Sequence, residues 1–513
     1  MEIKDIKLGS KNKVELIGSV ERVVQTGGPT VFVISDGTGN FSLKGFVSPG
    51  TRSFPEIEEG DAVKAFVKIG EFQGELEGEI IKIVKLNDSE KKKLSENIEK
   101  IQRERAKVKG VNFLVSSPIL EKLKDHFIKA ATEIRLAIIQ GRPIIVRHHS
   151  DTDGYCSGFA LEKAILPLIL KEQDSPKAAW EFFTRSPSSA PFYEITDSII
   201  DTAASLRNVA KFSNKMPLVI IADNGSSPED LMGIKQGKVH GIHFVVVDHH
   251  YFDEDVISKE VISHINPWLV KEDGAKFSAG MLCVELARII NPDVTNISQI
   301  PAMAGYADRI DSANKKIVEE YLAIAKKEGY SKELLENISI VIEYVSSRVR
   351  FMEVREYIEV LFGEPRARQK ALVDLMAPHI RKLDAKGLAI GKAHAKIEKI
   401  GNTTLQFIFV EETFPGFGFF PKPGRAVGLV HDSLQKEKNL TNVVSIGIMN
   451  TSITLRATDE AKFSVHDLIK FLDKKVPDAF VDGGGHKNAG SITFLPNKKD
   501  KIVEMFKEFV RGR

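Results

Sequence analysis

Acidic and imidazole side chains fall in three polar clusters, each directly after an apolar run typical of a buried parallel strand. The apolar runs are Ile144–Val146, Leu218–Ile221 and Phe244–Val247. The clusters that follow them are His148–Gly154, Asp223–Gly225 and Asp248–His250, with four carboxylates and up to four imidazoles in total. Because the carboxyl ends of parallel strands line one crevice of an open sheet, we expect the three clusters to converge.

Such a convergence predicts a site for divalent metal ions. Several carboxylates in one cleft repel one another and raise each other's pKa, and bound cations remove that cost. Carboxylate and imidazole ligands suit manganese, iron or zinc better than calcium, and the lack of thiolates in the clusters favours manganese. A single Asp or His after a strand is usually a turn former, so the prediction depends on all three clusters together.

The hydrophobic pattern predicts the elements that position these clusters. Apolar strands alternate with helices around the three clusters, which indicates an α/β unit with a doubly wound parallel sheet. The predicted units are an OB-like β-barrel (residues 1–87), a charged helical linker (88–110), the catalytic α/β unit (111–314), a helical connector (315–392) and a C-terminal α/β unit (393–513). The linker is dense in charge, and we expect an exposed helix that acts as a solvated spacer.

The N-terminal segment reads as short strands separated by glycine turns. The predicted strands are Val14–Val24, Val31–Ile34, Phe41–Val47, Ala62–Ile69 and Leu76–Val84. Their order resembles an OB-fold, and Gly18–Val20 and Ser35–Gly39 resemble the matching strands of tRNA-anticodon-type OB domains. Barrels of this type bind single strands by aromatic stacking and a basic groove.

Several side chains of the barrel could make such contacts: Phe32, Phe41, Phe46, Phe66 and Phe72, with Lys44, Arg52, Lys64 and Lys68. Strand alternation places about half of the phenylalanines in the barrel core, so we expect only a minority to contact bases.

Composition narrows the class of protein. The 513 residues suggest roughly two to four domains. The net charge of +2, from 72 basic and 70 acidic residues, means that nucleic acid would have to bind at local basic surfaces. Cys156 and Cys283 are the only cysteines, which excludes a disulfide scaffold or a cysteine-based zinc site. No apolar run reaches membrane-spanning length and the N-terminus has no signal-like region, so we expect a cytoplasmic protein that does not contact membranes.

Five motifs resemble, in order, those of the DHH superfamily of phosphoesterases. They are His149–Gly154, Asp223–Gly225, Asp248–His250, Ala304–Asp308, and Gly483–His486 with Asn488–Gly490 from the associated C-terminal domain. The resemblance implies hydrolysis by a water that two divalent ions activate, with manganese expected first and magnesium as the alternative. The implied metal ligands are His149, Asp151, Asp153, Asp223, His249 and Asp308.

The resemblance also implies roles beyond metal ligation. Asp223 would bridge the ions and act with His250, which would contact the scissile phosphate. The implied contacts to substrate are Gly484, Gly485, His486 and Arg456. Glycines allow backbone N–H groups to approach an anion closely.

The segment Phe414–Arg425 gives two more candidate substrate contacts. It is rich in Pro and Gly and presents rings such as Phe419 beside cations such as Arg425, which suits stacking on an unpaired base. A rigid loop whose rings pack between two domains fits the same composition.

Within the superfamily the chain resembles archaeal RecJ-like exonucleases, which hydrolyse single-stranded DNA or RNA. The first motif has the RecJ spacing His149-x-Asp151-x-Asp153, and Arg147 stands where enzymes of small substrates place a histidine. The alternatives are a phosphodiesterase of short oligonucleotides or cyclic dinucleotides, and a non-catalytic replication scaffold. The intact ligand set argues against the scaffold. Replication or repair proteins are the expected partners, while polarity and the choice between DNA and RNA stay open.

Overall fold

The structure, a computed structural model, describes residues 1–7, 13–72, 75–173, 177–188, 190–212, 215–349, 355–413 and 421–512. These residues form a closed barrel, a parallel sheet flanked by helices, a helical segment and a second α/β unit. The predicted fold class is therefore confirmed. Within the described ranges, every helix is too short or too polar to cross a membrane.

The barrel is built from strands close to the predicted ones. They are β1 (Val14–Gln25), β2 (Thr30–Ser35), β3 (Asn40–Gly45), β4 (Ala62–Phe72) and β5 (Glu75–Lys85). They close in the order β1-β2-β3-β5-β4. Phe32 and Phe41 lie in the barrel core, whereas Phe46, Phe66 and Phe72 are 59%, 38% and 55% exposed. The expected division of the phenylalanines between core and surface is thus observed.

The charged linker forms helix α1 (Asp88–Ala106), which begins with a capping box between Asn87 and Glu90. One face of α1 is buried, with Ile98 packed against the turn at Gly37 of the barrel. Arg105 donates to the Gly37 carbonyl oxygen (2.8 Å) and pairs with Glu172 of the catalytic unit (2.8 Å). The prediction of a mere solvated spacer is wrong for this face, because long-range packing could not be read from local charge.

The catalytic unit contains a parallel sheet of order β10-β9-β8-β6-β7. Its strands are β6 (Ile144–His148), β7 (Phe183–Pro187), β8 (Leu218–Ala222), β9 (His243–Val247) and β10 (Ser263–Ile265). Its helices are α2 (Pro118–Ile139), α3 (Thr152–Gln173), α4 (Ala178–Glu181), α5 (Ile195–Phe212), α6 (Leu231–Val239), α7 (Ala279–Ile290) and α8 (Ile300–Ala307). Helices cover both faces, so β6 and β8 are buried along their whole length.

Helices connect this sheet to the second α/β unit. They are α9 (Ile310–Ala313), α10 (Lys315–Lys327), α11 (Lys332–Arg348), α12 (Arg355–Leu361) and α13 (Arg366–His394). The second unit comprises β11 (Lys396–Ile400), β12 (Thr403–Phe409), α14 (Val410–Thr413), α15 (Pro423–Lys438), β13 (Val443–Ile448), β14 (Ser452–Ala457), α16 (Val465–Lys475), β15 (Asp482–His486), β16 (Ala489–Thr493) and α17 (Lys499–Arg511). Its sheet order is β11-β12-β13-β14-β16-β15.

The barrel docks at the amino-terminal edge of the parallel sheet. Lys215, just before β8, pairs with Glu21 of β1 (2.6 Å). Glu181, just before β7, lies 3.9 Å from Arg22 of β1. The polar clusters follow the carboxyl ends of the same strands, so the barrel lies at the opposite edge of the sheet from them.

Arg147 of β6 is buried and belongs to the structural framework. Its Nε lies 3.0 Å from Asp201 Oδ2, and its Nη1 lies 3.4 Å from Asp197 Oδ1, both on α5. Although burial opposes ionisation, the two carboxylates raise the pKa of Arg147 further. The side chain links β6 to α5. Because its guanidinium is paired with two acids of α5, Arg147 is a structural residue and not a metal ligand.

We expect Arg147→Ala to lower the free energy of unfolding by about 3–5 kcal/mol, because Asp197 and Asp201 would remain buried without their counter-charge. Urea unfolding would measure the loss. Lys315→Ala, which breaks an exposed pair with Glu319, is the control and should change stability far less. Equal, small losses in both variants would contradict a structural role for the buried pair.

Candidate metal centre

The predicted metal ligands lie together at the carboxyl-terminal edge of the parallel sheet. His149 follows β6, Asp223 follows β8, and His249 follows β9. Asp151 and Asp153 stand at the start of α3, and Asp308 stands at the end of α8. The doubly wound topology therefore gathers residues that lie far apart in the chain.

These side chains form two groups that share Asp223. In the first group, His149 Nδ1 lies 2.9 Å from Asp151 Oδ2 and 3.6 Å from Asp223 Oδ2. In the second, His249 Nε2 lies 3.4 Å from Asp223 Oδ1, 3.8 Å from Asp153 Oδ2 and 3.1 Å from Asp308 Oδ2. Each of the trios His149–Asp151–Asp223 and Asp153–Asp223–His249 offers ligand atoms within 4.8 Å of one another. The geometry fits metal binding by both groups.

Asp223 has no hydrogen-bond partner for either carboxylate oxygen among the described residues, although it is only 1% exposed. The Nε2 atom of His249 is similarly buried and unsatisfied in this part of the chain. Such orphaned groups are costly unless something else satisfies them. Oxygen and imidazole donors of this kind suit manganese or magnesium, so the residues present fit divalent ions.

The backbone at Asp223 is strained. Its φ is +60°, in the left-handed region that residues other than glycine seldom adopt. The Asp223 amide donates to the Val247 carbonyl oxygen (2.9 Å), which holds the conformation at the end of β9. Strain of this type concentrates at functional sites.

Backbone contacts fix the orientation of other ligands. Asp153 accepts hydrogen bonds from the amides of Ala279 (2.9 Å) and Gly280 (3.0 Å) at the start of α7. His249 Nδ1 donates to the Gly274 carbonyl oxygen (3.2 Å), which leaves Nε2 to face the carboxylates. A Cβ on Gly154 would lie 2.1 Å from the His149 carbonyl oxygen, so the first motif requires glycine there.

The close packing of several acids in the cleft shifts the pKa values of the predicted ligands. Burial and the charges of Asp223 and Asp308 hold the pKa of Asp153 well above its usual range. Burial opposes protonation of His149, yet Asp151 and Asp223 raise its pKa well above the ordinary value. Without a metal ion, protons on Asp153 and His149 therefore offset part of the negative charge of the cleft. Metal binding should release these protons.

His250 lies beside the ligand groups and is oriented by Asp248. Its Nδ1 donates to Asp248 Oδ1 (2.7 Å), and the same oxygen accepts from the backbone amide of His249 (2.8 Å). Although burial disfavours the protonated ring, Asp248 raises the pKa of His250. The carbonyl oxygen of His250 accepts from Asn266 Nδ2 (3.0 Å). This arrangement orients the His250 ring at the edge of the two ligand groups and favours its protonated form.

His486 reaches the same place from the C-terminal unit. Its ring stacks on His250 with centroids 4.6 Å apart, and its Nε2 lies 3.8 Å from Asp308 Oδ2. Gly485 has a φ of +126°, and a Cβ there would lie 2.7 Å from the Ala489 carbonyl oxygen, so only glycine fits. A Cβ on Gly484 would meet only Glu229 within 4 Å. The glycine-rich end of β15 therefore has open space beside Gly484 and a tightly packed backbone at Gly485.

The other predicted substrate contacts are placed differently. Arg456 of β14 is partly buried, and its guanidinium makes no hydrogen bond or ion pair with the described residues. Burial and the neighbouring Arg309 lower the pKa of Arg456. Arg425 pairs with Asp384 of α13 (Nε–Oδ1, 3.2 Å). Phe419 lies outside the described residues.

Some contacts of the site were not foreseen from the sequence. Lys422 donates to the Ser150 carbonyl oxygen and to Ser346 Oγ (2.9 Å), which links the C-terminal unit to the first motif. Glu343 of α11 accepts from the Thr152 amide (2.8 Å) at the start of α3. These partners are separated by up to 272 residues, and no local pattern marks them.

Comparison with known proteins indicates the family of the chain. The family model of the DHH family, N-terminal domain, matches residues 143–308. Uncharacterized protein MJ1198 of Methanocaldococcus jannaschii is 35% identical, over 100% of this chain and 71% of its own length.

Two solved structures are also similar. The first is described as the DHH domain of a member of a family of ribosomal proteins. It is 36% identical, with a TM-score of 0.76 over 83% of this chain and 99% of its own. RecJ from Thermus thermophilus, in complex with Mn²⁺, has a TM-score of 0.52 at 14% identity, over 81% of this chain and 59% of its own. The second likeness concerns the fold alone.

We expect Mn²⁺ to raise the melting temperature, because an ion that binds only the folded state stabilises it by mass action. Asp223→Asn should raise the melting temperature of the metal-free protein by relieving repulsion, and it should weaken the shift that Mn²⁺ produces. Differential scanning calorimetry with and without Mn²⁺ would measure both effects. Asp293→Asn, at an exposed acid, is the control and should retain the full Mn²⁺ shift. A full shift in Asp223→Asn would exclude Asp223 as a ligand.

Proposed function

The chain belongs to the DHH family of phosphoesterases, and from that premise we propose that it is a RecJ-like exonuclease. It hydrolyses phosphodiester bonds of single-stranded DNA or RNA and releases mononucleotides. The observation that carries the proposal is the pair of ligand groups sharing Asp223, with His250 and His486 beside them. Two ions in these groups, manganese first, would be the cofactors.

When bound, such ions supply Lewis-acid charge and an activated water. The residues of the chain then have to hold and orient the phosphate. His250 is suited to this because Asp248 fixes Nδ1 and favours the cationic ring, which leaves Nε2 to donate to a phosphate oxygen. Charge placed in advance at the phosphate costs no reorganisation during the reaction.

The C-terminal unit supplies the second half of the phosphate site. His486 stacks on His250, and the glycines Gly484 and Gly485 of β15 leave the backbone without Cβ atoms, so that an anion can approach it closely. The partly buried guanidinium of Arg456 has no ion-pair partner among the described residues, so it can bind a further phosphate. Arg425 would first have to leave Asp384. The substrate would therefore bind between the two units.

Two observations favour a polymeric substrate over a dinucleotide. Arg147 stands at the position where small-substrate enzymes place a metal ligand, and it forms buried ion pairs with Asp197 and Asp201 instead. The barrel exposes Phe46 and Phe72, and Lys44 lies 4.2 Å from the Phe72 ring centroid. Exposed rings beside a cation are suited to stacking on unpaired bases. The intact ligand set argues against a non-catalytic scaffold.

The test of this proposal uses purified protein with Mn²⁺ and four labelled substrates: single-stranded RNA and DNA, each labelled at the 5′ or the 3′ end. Mononucleotide release from one end, abolished by a chelator and by Asp223→Ala but not by Asp293→Asn, is the expected result. The label that is released first gives the polarity. Inactivity on all four strands, with cleavage of dinucleotides or cyclic dinucleotides, would overturn the exonuclease assignment in favour of a small-substrate phosphodiesterase.

We expect His250→Ala to lower kcat by about 100-fold or more while the Mn²⁺-induced rise in melting temperature persists. The reason is that the ring would stabilise the transition state without being a required ligand. Single-turnover assays at saturating Mn²⁺, combined with calorimetry, separate the two effects. Loss of the Mn²⁺ shift in this variant would instead identify His250 as a metal ligand.

A further inference from the structure

Trp180 is a large ring exposed at the junction between the barrel and the catalytic unit. It lies on α4, and 65% of it is exposed. The neighbouring residue Glu181 lies 3.9 Å from Arg22 of the barrel, which places α4 at the surface where the two units meet. An exposed aromatic ring of this size offers a flat surface on which an unpaired base can stack.

A buried arginine packs against the Trp180 ring. The Arg355 guanidinium lies 4.8 Å from the Trp180 ring centroid, although Arg355 is only 7% exposed. Arg355 Nε is in turn 2.7 Å from Glu162 Oε1, and Glu162 Oε2 is 2.6 Å from Arg185 Nε. A cation held in this way fixes the ring and covers part of it, while the rest faces solvent.

A second cation approaches from the barrel. Arg22 lies on β1, and its closest recorded contact is the 3.9 Å approach to Glu181. Its Nε atom is buried and has no hydrogen-bond partner among the residues that the structure describes. The guanidinium is therefore incompletely paired, and the Arg22 side chain is 37% exposed, which leaves part of it open to an anion.

We propose that Trp180, Arg355 and Arg22 form a junction platform that stacks a base of single-stranded nucleic acid and binds its adjacent phosphate. An aromatic face beside an arginine is the combination by which proteins hold single strands without regard to sequence. This inference rests on the proposed function and deepens it, because it assigns to the protein a second binding site for the polymer, away from the two ligand groups.

The position of the platform predicts a dependence on strand length. Trp180 stands before β7, at the opposite end of the sheet from His149, and β6 between them has five residues. That length corresponds to about 16 Å. At about 3.4 Å per nucleotide, the rise within a duplex strand, this is about five nucleotides. Because a strand has to pass around the buried sheet, the path between the two sites is longer than this length. A dinucleotide at the metal groups cannot reach the platform.

Binding is tested first without catalysis, by tryptophan fluorescence in the presence of a chelator. The chain has two tryptophans, so Trp268→Phe leaves Trp180 as the only reporter. We expect a twelve-nucleotide single strand to quench this fluorescence and a dinucleotide to leave it unchanged. Because no hydrolysis is involved, the result is independent of whether the exonuclease assignment holds.

Substitutions then test the platform in the otherwise unaltered chain. Trp180→Ala and Arg22→Ala should each weaken binding of the twelve-nucleotide strand by at least about 5-fold, the loss expected for one stacked base or one phosphate contact. Trp180→Phe should retain most of the affinity. Val239→Ala is the matched control, since Val239 is 82% exposed at the same edge of the sheet, before β9, and it should change nothing.

If dinucleotides are hydrolysed, Trp180→Ala should raise KM for the long strand and leave dinucleotide hydrolysis unaltered. Unchanged affinity in Trp180→Ala together with absent quenching overturns the platform. A change in oligomeric state in that variant, by sedimentation, with unchanged strand affinity also overturns it and identifies a protein interface instead.

Discussion

The central physical constraint of this molecule is the mutual repulsion of carboxylates buried in one cleft. Asp153 and Asp223 have almost no exposure to water, and Asp151 and Asp308 lie beside them. No sheet would gather such charges without a compensating interaction. Amides at the start of α7, two imidazoles and, in our proposal, divalent ions supply that compensation. The strained backbone of Asp223 is a further cost of the same arrangement.

The C-terminal unit is held to this cleft by polar contacts rather than by a shared apolar core. Lys422 contacts Ser150, Arg309 pairs with Asp432 (2.6 Å), and Lys470 pairs with Asp253. The main apolar clusters of the catalytic and C-terminal units are separate. Polar junctions of this type allow two units to separate and close again, which suits a site that must admit a strand between them.

Much of the fold could be predicted, because short local patterns of apolar and polar residues determine its strands and helices. The strands predicted at Leu218–Ile221 and Val31–Ile34 each follow from a short stretch of sequence, and both are observed. The convergence of His149, Asp223 and His249 followed from the rule for parallel sheets. The short strands β7 and β10 were missed, since neither has a long apolar run.

Contacts between residues far apart in the chain could not be predicted from the sequence. Nothing near Arg425 indicates that Asp384 would take up its charge, and nothing near Lys422 indicates Ser150 as its partner. The buried face of α1 was hidden for the same reason, because Ile98 stands among charged neighbours and its partner is a turn of the barrel. Residues whose role depends on a distant partner need the three-dimensional structure.

The buried pairing of Arg147 also restricts which substitutions this chain can tolerate. Loss of the guanidinium would leave Asp197 and Asp201 buried without their counter-charge. A stable chain with a neutral residue at position 147 would therefore need a neutral residue at one of those acids as well. The three positions behave as one unit, because one charge on β6 balances two charges on α5.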